Sequence, residues 1–316
     1  MLIVPAPILV FAYNRPFHLR KTIEALRLNE LAAESDLFVY ADGPRHPRDE
    51  PAVRGVRSYL RTIAGFRSVT IFERPTNLGL AQSIIQGVTQ SLERSSRVIV
   101  LEDDIVTSPH FLGFMNDALE LYASNDCVAS VHGYTPPVNV KLPETFFLRG
   151  ADCWGWATWK RAWATFQRNG RALLQRIQTE GLEFAFDFNG SYPYTRMLRD
   201  QVRGLNDSWA VRWYASAFVS QRLTLYPCES LVANIGDEGS GFHRGINPNF
   251  RGALLQRPIR VGDVEIAHSD QAFRAFSEFL QTRRKRMLGR LAGRIWRNAV
   301  QRMGFRFTVR PSSNSV

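Results

Sequence analysis

Three consecutive acidic residues, Glu102, Asp103 and Asp104, close an apolar run, Val98 to Leu101, within the stretch VIVLEDDIVTSP over residues 98–109. The run is too short for a helix and rich in β-branched residues, which reads as a buried strand of a mostly parallel sheet. Ligands of open parallel sheets bind in the crevice beyond the carboxyl ends of the strands, where these three side chains would stand. Carboxylates crowded into one turn repel each other unless a cation lies among them. Hard oxygen ligands suit Mg2+ or Mn2+, ions that keep open positions for phosphate oxygens. The stretch points to a metal–diphosphate site; an acidic turn that merely ends a strand is the other reading of these residues alone.

The elements that would position this site lie upstream. Pro7 to Ala12 reads as a first buried strand, followed by the turn Tyr13-Asn14-Arg15-Pro16 and a helix from about Phe17 to Leu28. A second strand, Asp36 to Tyr40, ends in Ala41-Asp42-Gly43-Pro44, a turn that carries a carboxylate. A helix over roughly Pro51 to Ala64 leads to a third strand, Ser68 to Glu73. The loop to Asn77-Leu78-Gly79 and a helix from Leu80 to about Leu92 come next. Strand and helix alternate with short connections, which predicts a doubly wound α/β fold with a mostly parallel sheet. Right-handed crossovers bring all four strand ends to one edge, where polar or special residues gather. No GxGxxG follows the first strand and no GxxxxGK[ST] occurs, so neither a Rossmann dinucleotide site nor a P-loop is supported.

Composition narrows the class. The chain has 316 residues and a formal charge of +11, which suggests nucleic acid until it is located. Ten Lys or Arg and no acid follow residue 280, which leaves 30 basic and 29 acidic residues before it. The charge belongs to the tail, and nucleic-acid binding is not expected of the rest. Cys127, Cys153 and Cys228 are far apart without CxxC spacing, so neither a zinc site nor a disulfide framework is indicated and a reducing compartment is expected. The amino terminus lacks a basic leader and is broken by Pro5 and Pro7, so no signal peptide and no membrane span are expected.

The order strand-NRP, strand-ADGP, loop NLGLAQSIIQGV and strand-LEDD resembles the GT-A glycosyltransferases. It is similar to the glycosyltransferase family 2 pattern and, at Glu-Asp-Asp, to the N-acetylglucosaminyltransferase I type, over roughly Ile8 to Phe111. The resemblance implies a nucleotide-diphospho-sugar transferase fold with Mn2+ or Mg2+ and a nucleotide-sugar donor, a UDP-sugar first. It would put Asn14 and Arg15 near the nucleotide and let Asp42 accept a hydrogen bond from the base. Asn77 and Gly79 would shape the pocket, Glu102 and Asp103 would face the ribose, and Asp104 would be the main metal ligand.

Beyond Asp104 the chain reads as a helix from Pro109 to about Ala123, a strand from Cys127 to His132, and then Trp154, Trp156, Trp159 and Trp163 within ten residues. Indole faces suit sugar rings. In GT-A families a Trp-Gly-Trp segment lies near donor sugar and acceptor, which makes Trp154 and Trp156 sugar-binding candidates. The alternative is a helix start packing large aromatics, the closer reading for Trp159 and Trp163. Inverting transfer needs a carboxylate to take the acceptor hydroxyl's proton. Asp207, in LNDSWAVRWY, is the first candidate by resemblance and Asp152 the second; a helix cap at Asp207 or Ser208 is the structural alternative. Leu223 to Pro227 reads as a strand. The loop from Ser230 to His243, with three glycines, looks able to close over a diphosphate, and the resemblance makes His243 a possible further metal ligand. Ile259 to Ile266 reads as a last strand, and Asp270 to about Arg302 as a basic amphipathic helix that either docks on an anionic membrane surface or packs on the core.

Together these predict a nucleotide-sugar-binding half over residues 1–125, an acceptor-binding and catalytic half over 126–268, and a basic helical tail over 269–316. The expected activity is metal-dependent, inverting transfer of a sugar to a glycan or lipid-linked acceptor, in a cytoplasmic protein peripheral to the membrane. A non-catalytic carbohydrate-binding protein and a sugar-phosphate nucleotidyltransferase are the alternatives, though Tyr13-Asn14-Arg15-Pro16 is not the Gly-rich basic loop the latter needs.

Overall fold

The computed structural model describes residues 4–236, 254–262 and 264–284. Their strands are β1 (Ile8–Ala12), β2 (Asp36–Ala41), β3 (Ser68–Glu73), β4 (Arg97–Glu102), β5 (Ile105–Thr107), β6 (Val128–His132), β7 (Thr145–Arg149), β8 (Trp156–Trp159), β9 (Leu223–Pro227) and β10 (Val232–Asn234). Eight form one sheet in the order β3-β2-β1-β4-β8-β6-β9-β7, and β5 pairs with β10 beside it. The β3-β2-β1-β4 block and the β6-β9 pair are parallel; β8 and β7 run against their neighbours. Every residue of β1 is buried, as is every residue from Val98 to Leu101 of β4. Strands covered on both faces read as continuous apolar runs, which is why these were visible in the sequence. Parallel register sets Leu101 opposite Val10 and Glu102 opposite Phe11, so the turn after β1 and the acidic turn after β4 leave from the same edge.

Helices cover both faces. Pro16–Arg27 buries Leu19, Ile23 and Leu26 and opens with proline, whose missing N–H costs a first turn nothing. Leu80–Arg94 and Phe111–Leu121 cover neighbouring strands. Trp209–Val219 is buried almost all round and joins two apolar clusters, Trp209, Trp213 and Ala217 to the main core and Val211, Ala215 and Phe218 to a second one.

Three local readings differ from expectation. The tryptophan-rich segment divides: residues 156–159 form β8, an antiparallel strand between β4 and β6, and Trp159 then caps the short helix Lys160–Trp163, which is the helix start expected at Trp159 and Trp163. Side chains alternate in a strand, so Trp156 and Trp159 enter opposite layers. Thr145–Arg149, passed over in the sequence, forms edge strand β7 with Phe146, Phe147 and Leu148 buried. The expected strand over Ile259 to Ile266 does not form in its described residues; Ile259, Val261 and Val264 pack on the core without joining a ladder. The tail is helical over residues 270–284, and Ala272, Ala275 and Phe276 are buried in the second cluster, Phe276 edge-on to Phe146 and Tyr226. This part of the tail packs on the core, and the basic residues beyond 284 lie outside the described residues. Among the described residues, no helix is long and apolar enough to cross a membrane.

Candidate active site

Two loops at the carboxyl edge are clasped by one carboxylate. Asp42, 5% exposed, follows β2 and accepts from the Leu78 N–H at 3.0 and 3.1 Å and from the Gly79 N–H at 3.0 Å. Asn77 Nδ2 donates to the Gly43 carbonyl at 3.0 Å. Gly79 has φ +78°, a conformation open to glycine at little cost, and the chain turns there directly into Leu80–Arg94. Asp42, Asn77 and Gly79 are thus brought together, and the visible work of Asp42 is to shape this loop.

The second focus is the acidic turn. Arg15, at the end of the β1 turn, forks across two neighbouring carboxylates: Nη2 donates to Asp103 Oδ1, and Nη1 to Asp104 Oδ2 at 2.8 Å. The Tyr13 backbone lies beside Asp103 and the Trp209 side chain beside Glu102, and each favours the charged form of its carboxyl. Burial, with Asp104 and Asp103 adding repulsion, pushes Glu102 up to about 8 despite Arg15 and Trp209. Burial likewise pushes Asp103 up to about 6, against the pull of Arg15. Burial disfavours the Arg15 charge, but Asp103 and Asp104 outweigh it and raise Arg15 above its ordinary value. Three acidic side chains face one guanidinium, an arrangement short of positive charge.

Asp104 is the member with capacity to spare. It is 6% exposed, and its Oδ1 is buried without a hydrogen-bond partner. Its backbone carbonyl accepts from the Ile235 N–H at 2.8 Å, which lays the end of β10 across it. A Cβ on Gly236 would sit 2.1 Å from Asp104 Oδ2 and 2.9 Å from Arg15 Nη1, so only glycine allows this close approach. Among the described residues no three His, Cys, Asp or Glu side chains form a metal cage. One orphaned carboxylate oxygen fits a hard cation that takes its other ligands from phosphate and water.

The other predicted residues divide. Asn14 is half-buried between Tyr13 and Arg15. Asp207 has a largely exposed side chain, accepts from Arg212 Nη2 at 3.1 Å, and stands two residues before Trp209, the residue that reaches Glu102. Helix Trp209–Val219 is capped instead by Ser208, whose side chain accepts from the Val211 N–H at 3.2 Å. Asp152 is partly exposed, with Oδ2 3.6 Å from Nε2 of the fully buried His132. The adjacent Cys153 thiol is raised well above its ordinary value by burial and then by Asp152, Glu102 and Asp104, which sets this segment beside the acidic turn. Trp154 packs edge-on against Tyr134. Trp156 needs correction: it is 1% exposed and its ring contacts Trp163, Trp209 and Trp213, so it has no face free for a sugar. His243 lies outside the described residues.

Sequence reasoning missed Tyr13, Trp209 and Gly236. Gly236 and Trp209 act on residues far away in the chain, and no local spacing signals such contacts.

The sequence matches no protein-family model and no curated protein. Among solved structures, the chain is similar to a mannosyltransferase from Pyrobaculum calidifontis in complex with GDP-Man and Mn2+, at 13% identity and TM-score 0.35, covering 56% of this chain and 47% of that one. It is also similar to residues 1–349 of S. aureus TarS, at 10% identity and TM-score 0.39, covering 73% and 61%. A nucleotide-diphospho-sugar transferase structure from Desulfovibrio desulfuricans matches at 10% identity and TM-score 0.32, covering 51% and 65%. The chain thus spans about half of the mannosyltransferase and less than two thirds of the other two. Likeness at these values is too slight to carry an activity across.

Proposed function

We propose that the protein is a metal-dependent glycosyltransferase of the GT-A type, moving a sugar from a nucleotide-sugar donor to a hydroxyl of a glycan or lipid-linked acceptor. The observation that carries this reading is Asp104, buried at the carboxyl edge of a parallel sheet with Oδ1 unpartnered and Arg15 beside it. Asp104 would hold Mn2+ or Mg2+, which supplies positive charge to the leaving diphosphate. The clasp of Asp42 with Asn77 and Gly79 borders the room for a base, a UDP-sugar being the first donor to try. Asp207 takes the proton from the acceptor hydroxyl at its carboxylate, Arg212 holding that carboxylate in place; Asp152 is the second candidate. Transfer with inversion is the expected outcome, and Trp154, at the rim, offers the aromatic face for a sugar.

The basic residues beyond 284 suit an anionic membrane surface on the cytoplasmic side, which belongs with a lipid-linked acceptor. The test is thermal stability against a panel of nucleoside diphosphates and nucleotide sugars, with and without Mn2+, because a ligand that binds only the folded state raises the midpoint. A Mn2+-dependent rise with one nucleotide, abolished in Asp104→Ala, is expected. No rise with any nucleotide would overturn the reading.

A further inference from the structure

Arg15 and the two aspartates are bound unequally. Asp103 has the Arg15 guanidinium on Oδ1 and the Tyr13 backbone beside it. Asp104 has Arg15 on Oδ2 and nothing on Oδ1. The Arg15 side chain is 17% exposed, so the fork borders the crevice rather than the sealed core. A Cβ at Gly236 would come within 2.9 Å of Nη1, so the absence of a side chain there leaves room for the Arg15–Asp104 contact. A guanidinium is a permanent cation with several donors in a fixed plane, and either carboxylate or phosphate oxygens satisfy it. It therefore does for Asp104 Oδ2 what a divalent ion would do, while its other nitrogen stays on Asp103.

We infer that Arg15 is a built-in substitute for the cation: it neutralises Asp104 in the donor-free protein and yields that carboxylate when metal and diphosphate arrive together. On release, Nη1 turns to a phosphate oxygen while Nη2 stays on Asp103. This rests on the donor-site reading above and adds an order to it. The cation alone competes with Arg15 for Asp104 and binds poorly. The diphosphate gives Arg15 another anion, so cation and diphosphate strengthen each other's binding by the same factor.

The test is Mn2+ binding by electron paramagnetic resonance on the full chain, with Mn2+ alone and with UDP or GDP present. Wild type is compared with Arg15→Gln, Arg15→Lys and Arg45→Gln. Arg45 is an exposed cation in the loop after β2 and serves as the control for general loss of positive charge. Losing a charge-assisted bond to Asp104 should tighten binding of Mn2+ alone by about tenfold or more in Arg15→Gln. The gain from adding diphosphate should be large in wild type and largely lost in Arg15→Gln. Arg15→Lys, which keeps the charge without the fork, should fall between the two and covers the case in which Arg15→Gln does not fold. Unchanged Mn2+ affinity in both Arg15 variants, or an equal gain in Arg45→Gln, would overturn the inference. If Arg15→Gln tightens Mn2+ but neither UDP nor GDP affects binding in wild type, Arg15 still competes with the cation while the donor-site reading falls.

Discussion

Replacing Asp42 tests how the carboxyl-edge loops are held. Its carboxylate accepts from two backbone donors, the N–H groups of Leu78 and Gly79, in three contacts of 3.0 to 3.1 Å. Hydrogen bonds to charged groups contribute about 1.5–3 kcal/mol each. Both donors are only partly buried, which favours the lower end, so Asp42→Ala should cost about 3 kcal/mol. Asp42→Asn keeps one acceptor and turns an NH2 toward the other donor, and should cost about half as much. At about 2–4 °C per kcal/mol for a domain of this size, the alanine variant should melt roughly 6–12 °C below wild type. Calorimetry without ligands reads the loop's own contribution, and the same melts with nucleotide and Mn2+ read the pocket. An alanine variant melting within about 2 °C of wild type would refute the clasp.

Trp156→Ala should lose about 3–5 kcal/mol, as for other buried large aromatics, whereas Trp154→Ala should change the melting point little and weaken sugar binding; chemical denaturation and donor titration separate the two. Gly236→Ala forces a Cβ to 2.1 Å from Asp104 Oδ2, so Asp104 or the backbone after β10 must shift. Its Mn2+-dependent nucleotide affinity should fall about tenfold or more, measured by calorimetric titration, with an overpacking cost of about 1–3 kcal/mol in stability. Glu102 goes from 4.5 as its ordinary value to about 8 in the fold. Between those values the folded protein keeps a proton that the unfolded chain has released, so without divalent ions stability should fall as pH rises through this window. Glu102→Gln should flatten that slope in melts at pH 5 to 9 with chelator; an unchanged slope would count against the crowded-carboxylate account.

The parts of the fold legible in the sequence were those where local pattern and burial agree. β1 and residues Val98 to Leu101 of β4 are unbroken apolar runs because they are buried throughout, β9 is buried throughout with Thr224 its one polar residue, and β3 has the limits expected of it. β8 was hidden because four tryptophans in ten residues resemble a ligand platform or a helix start, while the structure puts two of them, Trp156 and Trp159, on opposite faces of one short antiparallel strand and Trp163 in the helix that follows. β5 and β10 have three residues each, too few for any periodicity. The meeting of Arg15 with Asp103 and Asp104 was within reach of sequence reasoning, since β1 and β4 must end at the same edge of a parallel sheet. The approach of Trp209 to Glu102 and of Gly236 to Asp104 was not, because both depend on how later elements fold back onto that edge.

The most direct test of the central claim is anomalous scattering at the manganese edge from crystals of the full chain grown with Mn2+ and UDP or GDP. The account predicts one manganese about 2.1 Å from Asp104 Oδ1, the distance of a small hard cation, with the diphosphate completing its ligands and Arg15 turned toward phosphate. A nucleotide bound away from this edge, or manganese absent from Asp104 while the nucleotide is present, would contradict it.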